Sequence, residues 1–235
     1  MLHEPRARRP YRQIADQILA LSAADGLVAG DRLPAERDLA DRFGVSRPSL
    51  REALIALEVE GHVEIRMGSG IYLSALPGHH GPAIGASVDD DSPFEILQAR
   101  AVIESAIAEE CARTADAAVI ARLDQLLDQM AGALDDRATA IRLDGEFHVS
   151  IAAGTGNAML RGLTADIYRK RLSPFFTRLA GHFEGRETWR HALAEHGAIR
   201  DAIAARDHEA AREAMRHHLT QSGLRFTASF AAETA

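Results

Sequence analysis

The sequence predicts a mainly α-helical chain in two parts: three helices closed by a β-hairpin, then an all-α antiparallel bundle of six helices. Three observations carry this expectation. Residues 74–93, SALPGHHGPAIGASVDDDSP, are rich in Gly, Pro, Ala and Asp and show no apolar period, which is the composition of a linker. Beyond them nearly every segment repeats apolar residues at helical spacing. Before them, Val63, Ile65 and Met67 alternate with polar residues, Gly68-Ser69-Gly70 turns the chain, and Ile71 and Leu73 alternate again, as in a two-stranded hairpin. The expected organisation is a domain over 1–74, a linker over 75–92 and an all-helical domain over 93–228.

Each element has its own signal. A first helix runs from about Pro10 to Ala23, with Ile14, Ile18, Leu19 and Leu21 on or near one face. A second starts near Pro34, a residue tolerated in a first turn, buries Leu39, Ala40 and Phe43, and stops at Gly44. Ser46 is a good N-cap for a third helix, which continues through Leu50, Leu54 and Leu57 to Gly61. A short helix–helix junction containing glycine, followed by a hairpin, is the order of a winged helix-turn-helix. Beyond the linker, helices are expected at about 93–114, 116–135, 137–153, 157–179, 187–205 and 208–227, which form an antiparallel bundle.

Composition narrows the function. The net charge of −7 argues against a protein that coats nucleic acid nonspecifically. Residues 1–74 are themselves slightly acidic, with 10 Arg against 11 Asp and Glu, so any DNA reading rests on where the arginines lie. Cys111 is the single cysteine, which excludes an internal disulfide and a thiolate cluster; it reads as a small buried hydrophobe. No run of ~20 apolar residues suggests a membrane span, and MLHEPRARRPYRQ has no apolar stretch behind its charge, so a cytoplasmic location is expected.

The arginines are placed to read DNA. Arg37 lies in the first turns of the second helix, and Arg47 and Arg51, four apart, share a face of the third. The start of that third helix enters the major groove in a helix-turn-helix, where arginine grips phosphate or donates two bonds to guanine. Ser46 and Ser49 are candidate phosphate or base-edge contacts, and the helix N-terminus adds amide donors. Met67-Gly68-Ser69 forms a small wing tip, and Arg6, Arg8, Arg9 and Arg12 are candidates for flanking phosphates.

The stretch LPAERDLADRFGVSRPSLREALIALEVEGHVEIRMGSGIYL closely resembles the DNA-binding domain of the GntR family of regulators, over residues 10–73. The resemblance implies operator contacts at Arg37, Arg47, Arg51 and the wing glycine Gly68. Ala35 departs from the pattern, since many members have a capping serine there, and a slightly weaker cap is expected.

The bundle carries a second constellation. Asp144 and His148, at i and i+4, share a helix face. His196 and His218 are 22 residues apart with the break at Arg206-Asp207 midway, so an antiparallel hairpin brings them level. Three imidazoles and a carboxylate suit zinc, nickel, manganese or iron; spacing alone leaves ordinary solvated or hydrogen-bonded histidines as the alternative. FEILQARAVIESAIAEECA, LDGEFHVSIAAGTGN, EHGAIRDAIAARD and AREAMRHHL together resemble the FCD effector domain of the FadR subfamily, over about 93–226. That resemblance implies one divalent metal, zinc first, on Asp144, His148, His196 and His218, and disfavours a long-chain acyl-CoA effector.

Arg100 lies four residues before Glu104, so it reads as an intrahelical ion pair or as a fork for an effector carboxylate; the resemblance implies the latter. Asn157 follows the Gly154-Thr155-Gly156 break and reads equally as an effector contact or a helix cap. The implied effector is a small organic acid. The segment ETWRHALAEHGAIRDAI resembles regulators of hexuronate, aldonate or related sugar-acid catabolism, with lactate, glycolate, citrate and amino-acid derivatives as the open alternatives. The expected protein is a homodimeric, ligand-responsive transcription regulator, a repressor first, on a palindromic operator. The alternatives are a regulator that senses the metal itself and a metal-dependent hydrolase, for which no general base is convincingly placed.

Overall fold

A computed structural model of the chain describes residues 10–66, 69–74, 93–172, 177 and 184–228. The described residues contain nine helices and two strands, and they fall into two compact units, 10–74 and 93–228.

In the first unit, α1 (Pro10–Ala24) and α2 (Glu36–Phe43) both pack on α3 (Arg47–Val59), which also meets β1 (Val63–Arg66); β2 (Gly70–Leu73) completes the hairpin. The buried stripe of α1 is Tyr11, Ile14, Ala15 and Ile18, at i, i+3, i+4 and i+7, while Leu19 and Leu21 are half-buried at its flank. α2 begins at Glu36, two residues after Pro34. Ala35 is its N-cap and, having no side-chain acceptor, makes no capping bond. Gly44 adopts φ +63°, and Val45 N–H closes back on Ala40 O at 3.1 Å, so the chain reverses within one turn between α2 and α3. Ser46 caps α3, its Oγ accepting from Ser49 N–H at 3.3 Å.

The hairpin pairs Val63 with Leu73, Glu64 with Tyr72, Ile65 with Ile71 and Arg66 with Gly70. Residues 30–33 add a short third segment along β2. Gly30 N–H donates to Leu73 O, Leu73 N–H to Asp31 O and Leu33 N–H to Ile71 O, all at 2.8–2.9 Å. The sequence reads as a simple break there, because three bridging residues carry no period. Met67 and Gly68 of the expected wing tip, like Arg6, Arg8 and Arg9, lie outside the described residues.

The second unit is a helical bundle: α4 (Pro93–Thr114), α5 (Ala117–Ala131), α6 (Arg137–Gly154), α7 (Ala158–Arg171), α8 (Arg186–Ala204) and α9 (His208–Ala228). α9 packs along α4 and α8, α6 lies against α4, α5 and α7, and α5 also meets α8. Asp116, Asp136 and Asn157 cap α5, α6 and α7 through their carbonyl or carboxylate oxygens. Ile107, Cys111, Leu126, Phe147, Ile199 and Leu219 belong to one continuous core. Cys111 is fully buried, and burial pushes its thiol up to about 12, so it behaves as the hydrophobe expected of it.

Two helices are shorter than their apolar period suggests. α5 ends at Ala131, where Gly132 N–H turns back to Asp128 O, since glycine is a poor helix residue. α7 ends at Arg171 with Leu172 as its C-cap, and Pro174, two residues on, has no N–H to extend the ladder. The α8–α9 turn is held differently. Arg206 has φ +57°, and its guanidinium donates to Arg113 O at 3.2 Å and Ala115 O at 3.1 Å, fastening the turn to the end of α4.

Candidate functional site

The helix-turn-helix presents its arginines unequally. Arg37 is exposed on the first turn of α2, and Arg47 is exposed at the start of α3. Arg51 is not free: its Nε donates to Glu36 Oε1 at 2.5 Å, and its side chain is 13% exposed, so it fastens α3 to the start of α2. Ser46 and Ser49 share a hydroxyl–hydroxyl bond of 2.8 Å, so capping geometry already uses both. Sequence reading did not single out Arg66, whose guanidinium lies 4.4 Å from the Tyr72 ring centroid on the hairpin, nor exposed Arg32, which lies across Gly70 at the wing.

In the bundle, the four candidate ligands do come together. Asp144 and His148 project from α6, His196 from α8 and His218 from α9, and all four are buried. Asp144 Oδ1 lies 3.3 Å from His196 Nε2 and 3.8 Å from His148 Nε2, and His196 Nε2 lies 3.2 Å from His218 Nε2. One donor atom from each residue fits within 4.8 Å of every other. These separations bracket the ~3.3 Å between ligand atoms that sit 2.0–2.1 Å from a tetrahedral zinc. The chemistry also fits. Burial, with the neighbouring imidazoles, holds His196 and His218 below their ordinary pKa, so both are neutral and carry lone pairs. Burial opposes ionisation of Asp144, yet the Arg171 and Arg100 guanidinium groups outweigh it and keep the carboxylate charged.

Residues behind three of these four hold them in place, the kind of support metal-ligating histidines ordinarily have. His148 Nδ1 is 2.5 Å from Glu104 Oε2, and His218 Nδ1 is 2.8 Å from Glu195 Oε2. Burial works against both glutamates. Arg100 and His148 nevertheless lower Glu104 to about 2, and hydrogen bonds from Arg225 and His218 lower Glu195 to about 2. Asp144 Oδ2 faces away from the histidines. Tyr168 OH lies 2.8 Å from it, Arg171 Nη1 donates to it at 3.3 Å, and Arg171 also reaches Glu184 at 2.6 Å. Oδ1 alone is thus left for a metal.

Arg100 takes part in both arrangements read from the sequence. Its Nε donates to Glu104 Oε1 at 2.7 Å, with both side chains 2% exposed. Its Nη2 is buried with no partner, and the guanidinium lies 5.2 Å from the Tyr168 ring centroid. An unpaired N–H on a buried cation is a receptor for an anion. Asn157 goes the other way. It is exposed, and its Oδ1 accepts from Met159 N–H at 3.0 Å and Leu160 N–H at 3.3 Å, so the cap accounts for it.

Tyr168, Arg171, Glu195 and Arg225 escaped sequence reading. One signal was present: the buried face of α7 reads Thr164, Ile167, Tyr168, Arg171, too polar for a plain core stripe. Tyr168 and Gly145 also form part of the wall of an open groove of about 630 Å³ along α6 and α7. Gly145, next to Asp144, is what lets Tyr168 approach. A Cβ there would lie 2.5 Å from the ring's Cε1 and 2.9 Å from Cδ1 and Cζ. Alanine ordinarily adds ~1 kcal/mol to a helix interior, but displacing a buried ring costs about 1–3 kcal/mol. Gly145→Ala is therefore expected to lower Tm in thermal denaturation; a raised Tm would show that the ring moves aside freely.

Comparison with known proteins agrees with this division. Residues 10–73 match bacterial regulatory proteins of the gntR family, and residues 95–221 match the FCD domain. The Exu regulon transcriptional regulator of Escherichia coli (strain K12) is 36% identical over 222 residues, covering 92% of this chain and 84% of that protein. The Uxu operon transcriptional regulator of the same strain is 36% identical over 226 residues, covering 91% and 85%. The solved structure of E. coli McbR/YncC shares the fold, with a TM-score of 0.53 at 16% identity over 94% of this chain and 99% of that one. The relatives are regulators of transcription and not enzymes, and the chain belongs with them: it is a DNA-binding regulator of the gntR family with an FCD domain as its C-terminal unit.

Proposed function

We propose that the chain is a cytoplasmic homodimeric repressor whose operator affinity is set by a small carboxylate bound at a metal centre in the FCD domain. Residues 1–74 form the reader, 75–92 the linker and 93–228 the sensor. Asp144, His148, His196 and His218 hold one divalent ion, zinc before nickel, manganese or iron. When bound, that ion supplies positive charge and open coordination positions for an anion. Arg100 gives the other grip: Glu104 holds its Nε side, which leaves Nη2 to receive the carboxylate. The observation that carries the reading is this pairing of a buried Asp-His-His-His cluster with a buried guanidinium whose Nη2 has no hydrogen-bond partner.

The effector proposed is a sugar acid or a related hydroxy acid. The names of the Exu and Uxu regulators support it, together with the need for an anion at Arg100. Arg37 and Arg47 are the exposed contacts to a palindromic operator, which a twofold dimer reads symmetrically. Effector and operator are coupled only if the acid binds one domain arrangement better than another. The test is operator binding by fluorescence anisotropy, titrated with chelator, with each candidate metal and with a panel of hexuronates, aldonates and lactate. The expected result is an affinity that responds to an acid only when metal is present. A response to metal with no acid effect would replace this reading with a metal sensor.

A further inference from the structure

Helix-interior hydroxyls in this chain normally turn back on the helix. Ser22 donates to Ile18 O at 2.9 Å, Ser105 to Ala101 O at 2.6 Å and Thr114 to Glu110 O at 2.9 Å. Thr164 does not. It is 0% exposed, and its Oγ1 has no hydrogen-bond partner. A buried hydroxyl left unpaired is destabilising, and Thr164 Oγ1 therefore has a hydrogen bond to offer a ligand.

The position says which ligand. Thr164, Tyr168 and Arg171 stand at i, i+4 and i+7, on one face of α7, and α7 packs on α4 and α6. Tyr168, one turn from Thr164, lies beneath the Arg100 guanidinium and touches the Asp144 carboxylate. Two buried groups without partners, Arg100 Nη2 and Thr164 Oγ1, thus flank the same tyrosine. We infer that Thr164 is a specificity-determining residue that hydrogen-bonds the hydroxyl of a 2-hydroxy acid whose carboxylate meets Arg100. This inference rests on the effector site proposed above and narrows its chemistry: acids without the hydroxyl leave Thr164 unpaired and are rejected.

The experiment uses metal-loaded full-length protein and calorimetric titration with two probe pairs, lactate against propionate and D-gluconate against 2-deoxy-D-gluconate. Wild type is expected to prefer the hydroxylated member of at least one pair by about tenfold or more. Thr164→Val is expected to lose about tenfold for that member and nothing for its deoxy partner, while Thr164→Ser keeps the preference. Thr164→Val also replaces an unpaired hydroxyl with a methyl of the same shape, so its Tm without acid is expected to hold or to rise by about 2–4 °C. Equal weakening of both members, no change in either, or a fall in Tm would overturn the inference and leave the effector site standing. D-Glucuronate is titrated alongside, and failure of wild type to bind any of the five acids would remove that site and the inference with it.

Discussion

His196→Ala is expected to strip the metal from the C-terminal unit and to abolish the response of operator binding to acid. The variant is a clean one for a physical reason. His148 Nδ1 lies against Glu104 and His218 Nδ1 against Glu195, whereas His196 Nδ1 has no hydrogen-bond partner and no carboxylate contact, so removing His196 disturbs neither glutamate contact. What is lost is the Nε2 that lies 3.3 Å from Asp144 Oδ1 and 3.2 Å from His218 Nε2, at the centre of the cluster. Losing an outer-shell partner typically costs 10–100-fold in metal affinity. Losing a ligand is expected to exceed that, at about 100-fold or more. Elemental analysis after dialysis reads the outcome, and full metal content in the variant would rule out this cluster as the site.

Arg47→Ala should have the largest effect on DNA. Arg47 is exposed at the first position of α3, and a bidentate arginine contact to a base is worth about 1–3 kcal/mol. The expected loss is about 10–100-fold in operator affinity, with metal content and Tm unchanged, because the side chain is solvated in the folded unit. Arg51 is the poorer probe, since its removal also breaks the Glu36 contact between α2 and α3. Normal operator affinity of Arg47→Ala in an anisotropy titration would show that α3 does not enter the groove by this end.

What the sequence made legible follows from the range of the forces involved. Gly44 and Ser46 act within one turn of themselves, so the helix-turn-helix could be read residue by residue. For the four candidate ligands, i, i+4 spacing on α6 and a turn midway between His196 and His218 showed that they could meet but left ordinary histidines as the alternative; the resemblance to the FCD domain singled them out. Tyr168, Arg171 and Thr164 were not, because their significance depends on how α7 is rotated against α4 and α6. Nothing local records that rotation. The Arg51–Glu36 contact spans 15 residues and was invisible for the same reason. Asn157 was ambiguous at source, since an asparagine oxygen serves a helix N-terminus and a ligand equally well; the structure spends it on α7.

In the proposed regulator, Asp144, His148, His196 and His218 hold a metal to which a carboxylate effector binds. Metal K-edge X-ray absorption of the zinc-loaded full-length protein, before and after addition of an acid that shifts operator affinity, tests it most directly. The expected spectrum has nearest neighbours of imidazole nitrogen with a carboxylate oxygen, and its oxygen contribution changes when the acid is added. A spectrum without three imidazoles, or one that an active acid leaves untouched, would contradict it.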